Sequence, residues 1–127
     1  MYSVKIRDHI MIAHSLDHPG FGLASKMHGA TYVVDAAFET LHLNEMNVAI
    51  DIGLAADILH QVLQPLHYQN LDELPDFKGK ITTTEYLAFY IHSRVAAHVL
   101  LNFMGKLTIT LGESHIAWAS YANEIGK

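Results

Sequence analysis

Residues Ser3 to His14 read SVKIRDHIMIAH, and the set Val4, Ile6, Asp8, Ile10, Ile12 and His14 alternates with Ser3, Lys5, Arg7 and His9. Successive side chains of a strand point to opposite faces, so this period of two predicts a strand with one largely apolar face. Pro19, Gly20 and Gly22 then mark a loop. From Gly29 to Leu41 the stretch GATYVVDAAFETL is rich in β-branched and aromatic residues. It predicts a second long strand, antiparallel to the first.

The period changes after Asp51. Leu54, Ala55, Ile58, Leu59, Val62 and Leu63 follow at helical spacing, with Asp51 placed to cap the free amides of the first turn and Pro65 to end the helix. A polar loop with Pro75 runs from His67 to Lys80. A second helix is predicted from the run Thr82, Thr83, Thr84, with Leu87, Ile91, Val95 and Val99 on one side. At roughly 20 residues it would span about 30 Å, and Gly105 is placed to cap its C-terminus. Thr82 and Glu85 have capping-box spacing. Leu107, Ile109 and Leu111, then Ile116, Trp118 and Ser120, alternate with their neighbours across an expected turn near Gly112. The expected order is ββααββ: an α+β domain with two helices on one face of a four-stranded antiparallel sheet. Such a sheet has two edges to cover, and oligomerisation covers them.

Composition limits the rest. The 127 residues suit one domain over 1–127, half of them are apolar and 17% are charged, which favours a packed interior over disorder. No apolar run approaches a membrane span; Val95 to Leu101 is already broken by His98. Met1 to Asp8 carries Lys5, Arg7 and Asp8 and has no signal-peptide pattern, so a cytoplasmic location is expected. With no cysteine there are no disulfides, thiolate metal sites or cysteine nucleophiles. A net charge of −5, with eight scattered Lys and Arg, gives no basic stripe for nucleic acid. Ten histidines are many for this length, but His42, His60, His92, His98 and His115 are dispersed rather than clustered.

His14, the HGATY segment at His28 to Tyr32, the LHYQNLDELPDF loop at Leu66 to Phe77, the TTE at Thr83 to Glu85 and the ESHIAWASY ending at Glu113 to Tyr121 recur in one family pattern. In these motifs and in element order, nearly the whole chain resembles the 6-pyruvoyl-tetrahydropterin synthases and the carboxytetrahydropterin synthases of the queuosine pathway. The resemblance implies the T-fold, whose subunits join sheets into a barrel and stack as trimers into hexamers, with active sites at subunit interfaces.

It also implies a zinc ion held by three histidines, one on the first strand and two from an HGH opening the second. Two histidines one residue apart on a strand share a face and can bind one ion. Here His14 and His28 stand at the first two positions and Ala30 at the third. A methyl group cannot ligate, so no metal cofactor is expected. The alternative is an active synthase completing its zinc site with another ligand such as His67, or with His9, which strand alternation sends to the opposite face. The family's cysteine base corresponds to Ala24, and its Asp-His pair to His67 and Tyr68. General acid–base groups contribute roughly 10²–10⁴-fold each and fail together as a set. The family's zinc-dependent activity is therefore expected to be absent or altered, with His67 and Tyr68 the candidate catalytic pair should different chemistry operate.

The anchoring residues remain. A pterin presents a ring N–H beside an exocyclic amine, and one carboxylate can accept both. Glu113 matches the family position for that contact, and Thr83, Thr84 and Glu85 match the element lining the same pocket. The expectation is a pterin-binding homologue forming a homo-oligomer, a hexamer by resemblance. Guanine shares the same donor edge, so a noncatalytic pterin- or purine-binding protein is the other alternative.

Overall fold

The computed structural model describes residues 1–126; Lys127, the last residue of the expected domain, lies outside them. The strands are β1 (Tyr2–His14), β2 (His28–Thr40), β3 (Gly105–Ser114) and β4 (Ala117–Ile125); the helices are α1 (Ile52–Leu63) and α2 (Thr84–Val99). The sheet runs β1-β2-β3-β4, antiparallel throughout. The ββααββ order read from the sequence is thus the order of the fold.

The period-two reading of β1 places its faces correctly. Ile10, Ile12 and His14 are buried, as are Tyr32, Val34, Ala36 and Phe38 on β2 and Leu107, Ile109 and Leu111 on β3. Both helices cover this face, α1 with Ile58, Leu59 and Leu63, α2 with Leu87, Ile91, Val95 and Val99. Each fully buried side chain of this kind contributes about 1.5–3 kcal/mol, and the shared core holds the helices to the sheet. The opposite face is polar: Arg7 pairs across strands with Asp35, Nε to Oδ1 at 2.7 Å and Nη2 to Oδ2 at 3.0 Å. That guanidinium holds the Asp35 carboxyl below the usual range.

Local signals need three corrections. Asp51 does cap α1, accepting from Gly53 N at 2.9 Å, but the cap of α2 is Thr83, which accepts from Tyr86 N at 3.2 Å. Thr82, whose spacing to Glu85 suggested a capping box, is buried and turned the other way. Gly105 does not cap α2, which ends at Val99 after 16 residues, about 24 Å. It opens β3, where a Cβ would collide with the carbonyl oxygen of Glu39. Gly112 is not the hairpin turn; it lies inside β3 opposite Trp118, and the chain reverses at His115 and Ile116.

One sheet edge is partly covered. The segment after α1 runs parallel to β1, with Tyr68 N donating to Met11 O at 2.7 Å and Ala13 N donating to Gln69 O at 3.0 Å. Among the described residues no helix is long and apolar enough to cross a membrane.

Candidate functional site

His14 ends β1 and His28 opens β2, and the two are register partners, with ring centroids 4.7 Å apart and edge to face. The His28 Nδ1–H donates to Lys26 O at 2.8 Å, which leaves Nε2 with its lone pair. Nδ1 of His14 hydrogen-bonds Thr82 Oγ1 at 2.9 Å inside the core. Burial, seconded by the neighbouring His28, lowers the pKa of His14 against the opposing pull of Asp72 and Thr82. Asp72 itself accepts from Ser15 N at 3.0 Å. Ala30, partner of Ile12, faces the same side of the sheet as both imidazoles. Its methyl offers no donor atom to a cation beside them. No group of three or more His, Cys, Asp or Glu able to hold a metal occurs among the described residues. A three-ligand zinc site does not fit this donor set.

Further along the same face, four residues of β2, or about 13 Å, separate His28 from Tyr32. Beyond Tyr32 a cavity of about 140 Å³ opens between the first turn of α2 and the β3–β4 end, lined by Thr84, Glu85, Glu113, Ala117, Trp118 and Ala119. This is well below the roughly 300–1,000 Å³ of whole-ligand clefts. It suits one edge of a flat ring. Two carboxylates supply acceptors, Thr84 supplies a hydroxyl, and Ala117 and Ala119 supply apolar surface. Glu85, in the first turn of α2, also answers the positive end of the helix dipole.

The threonine run divides its labour. Thr82 holds His14, Thr83 uses its hydroxyl as the cap, and Thr84 faces the cavity. Of the expected anchoring residues, Glu113, Thr84 and Glu85 are thus brought together, while Thr83 serves the helix. A wider cleft of about 470 Å³ near the start of β1 is walled mainly by apolar side chains, and its one carboxylate, Asp51, is engaged in capping α1.

His67 and Tyr68 do not enter the cavity. Their rings stack on each other, centroids 4.0 Å apart, at the outer edge of β1, where Met11 N donates to His67 Nδ1 at 3.1 Å. Tyr68 is exposed and adopts φ of +61°. Ala24, at the family's cysteine position, lies in the Pro19–Ser25 turn.

Sequence reasoning missed two residues. Thr82 looked like a cap, yet its burial is what orients His14. Tyr32 sits within the quoted HGATY segment and is fully buried, and among the described residues its hydroxyl has no hydrogen-bond partner. Burial raises the pKa of the phenol against the opposing pull of the neighbouring Thr84 hydroxyl, and the charges of Glu113 and Glu85 add to the rise; the Thr84 contact does not meet full hydrogen-bond geometry. Leaving such a hydroxyl unpaired costs about 1–3 kcal/mol. Strand alternation was the available signal: Tyr32 follows His28 and Ala30 at intervals of two.

A family model described as 6-pyruvoyl tetrahydropterin synthase matches residues 3–124. Among solved structures, the Caenorhabditis elegans 6-pyruvoyl tetrahydropterin synthase superposes with a TM-score of 0.82 at 19% identity, covering 96% of this chain and 95% of that one. The Plasmodium falciparum 6-pyruvoyl tetrahydropterin synthase gives 0.77 at 14% identity over 97% and 99% of the two chains. An uncharacterized protein from Wolinella succinogenes gives 0.71 at 14% identity over 97% and 98%. A search of curated protein sequences finds no match. The four-stranded antiparallel sheet with helices on one face is the T-fold. With the family match spanning almost its whole length, the chain belongs to the 6-pyruvoyl tetrahydropterin synthase family.

Proposed function

We propose that this chain binds a flat heterocycle through a pterin-type donor edge, and that it does so without the family's zinc-dependent chemistry. The observation that carries this reading is the cavity that gathers Thr84, Glu85 and Glu113 on the helix-covered face of the sheet. A ring N–H and its adjacent exocyclic amine match the two oxygens of Glu113, and the small apolar side chains of Ala117 and Ala119 leave room for the ring itself. Ala30 in place of the third imidazole and Ala24 in place of the cysteine argue for an altered reaction. His67 and Tyr68 stand outside this cavity, so any chemistry of theirs falls on the site of a neighbouring copy. A homo-oligomer, a dimer of trimers by likeness to the family, would bring the two together and enlarge the small cavity into a full cleft.

Fluorescence titration with pterin and with guanosine tests the anchor. Pterin binding is expected, and Glu113→Ala is expected to weaken it at least roughly a hundredfold, since two charge-assisted hydrogen bonds of about 1.5–3 kcal/mol each are lost. Binding that ignores this substitution defeats the anchor. Purified protein carrying one zinc per chain and turning over 7,8-dihydroneopterin triphosphate defeats the zinc-free reading.

A further inference from the structure

Among the described residues the buried hydroxyl of Tyr32 has no partner that completes a hydrogen bond, although a phenylalanine would fill the same core position without that penalty. Its surroundings indicate what it is for. Val33 pairs with Gly112 at the end of the β2–β3 register, and Glu113 follows in the irregular step of β3 between Gly112 and Ser114, close enough for its charge to act on the Tyr32 phenol. Thr84, the first residue of α2, lies between the phenol and the cavity that it helps to line.

The cavity offers two carboxylates, which only accept when ionised, and one threonine hydroxyl, which can donate once and accept twice. A pterin- or guanine-type edge ends in a carbonyl beside its two donors. A site made only of acceptors would leave that carbonyl unpaired. The Thr84 hydrogen must therefore point at the ligand, although Glu85 and Glu113 compete for it.

We propose that Tyr32 is a positioning residue: on ligand binding its hydroxyl donates to Thr84 Oγ1, and the Thr84 hydrogen is thereby directed to the carbonyl of the bound ring. This rests on the reading of Glu113 as the anchor of a pterin-type edge. Tyr32 touches no ligand itself.

The test is a double-substitution cycle on the full-length protein, with Tyr32→Phe, Thr84→Val and both together, read by pterin titration and thermal melting. Tyr32→Phe is expected to weaken pterin binding about five- to tenfold, the range of one uncharged hydrogen bond. The melting temperature of the free protein is expected to hold or rise. Because Tyr32 acts through Thr84, the double variant should bind no worse than Thr84→Val alone. Unchanged affinity in Tyr32→Phe overturns the role of Tyr32 while leaving Glu113 as the anchor. Losses that simply add overturn the route through Thr84, and a melting temperature falling in step with affinity marks the hydroxyl as structural. Wild-type protein that binds no pterin overturns this proposal together with the reading beneath it.

Discussion

His14 and His28 face each other across two strands, and the carbonyl of Lys26 fixes the His28 ring with Nε2 free. Such an outer contact is what orients a metal-ligating histidine. Ala30 is on the same face, two residues along β2. Ala30→His is therefore expected to retain about one zinc per chain through dialysis, as three imidazoles make a sufficient set, while the wild type is expected to lose its metal under the same treatment. Elemental analysis reads both. A wild type that keeps stoichiometric zinc, or a variant that keeps none, contradicts the assignment of Ala30 as the missing position.

At the level of elements, glycine placement supplies a sharper test than helix or strand propensity. Gly105 adopts φ of +155°, and any Cβ there collides with the backbone oxygen of Glu39 on β2 and with the Phe103 ring. Gly79 also has positive φ, +73°, but open space around it. Gly79→Ala should cost only backbone strain, about 1–2 kcal/mol. Gly105→Ala must in addition push two strands apart, so its chemical-denaturation midpoint should fall clearly further. Equal midpoints for the two variants would contradict the close β2–β3 approach. The same glycine shows what was legible from sequence and what was not. Its residue type announced a special position, but the collision with Glu39 depends on a partner more than sixty residues away, which no local pattern encodes. The period-two stretches of β1, β2 and β3 were legible because burial of one face is written into every second residue. Glu113, Thr84 and Glu85 were legible through a family pattern. Thr82 and Tyr32 were not, since a polar atom's partner in the core is a tertiary fact.

Across the whole molecule, the helix-covered face buries two imidazoles whose protonation opposes folding. His14 lies under Thr82 beside His28, and His92 of α2 donates from Nε2 to Leu107 O at 3.0 Å with the Tyr121 ring 4.8 Å from its own. Burial is the main cause lowering both pKa values, ahead of the opposing pull of Asp72 and Thr82 on His14 and of the Leu107 and Asn123 carbonyls on His92. A histidine with a lowered folded-state pKa takes up its proton more readily in the unfolded chain. Stability is then intact above the unfolded value of about 6.5 and is lost as pH falls from there toward the folded-state values. Each such histidine contributes a slope of up to about 1.4 kcal/mol per pH unit inside that window. Asp35 has the opposite shift for a carboxylate, lowered by Arg7, so its contribution is present above about pH 4 and leaves the histidine window clear. Thermal melts at fixed protein concentration, which holds any oligomerisation constant, should show a midpoint steady from pH 8 to 7 and falling between about 6.5 and 5. His92→Gln keeps a donor for the Leu107 carbonyl without a titrating ring, and it should flatten that fall. A midpoint that holds steady or rises through this range would mean that these imidazoles accept protons inside the fold, against the burial that keeps them neutral.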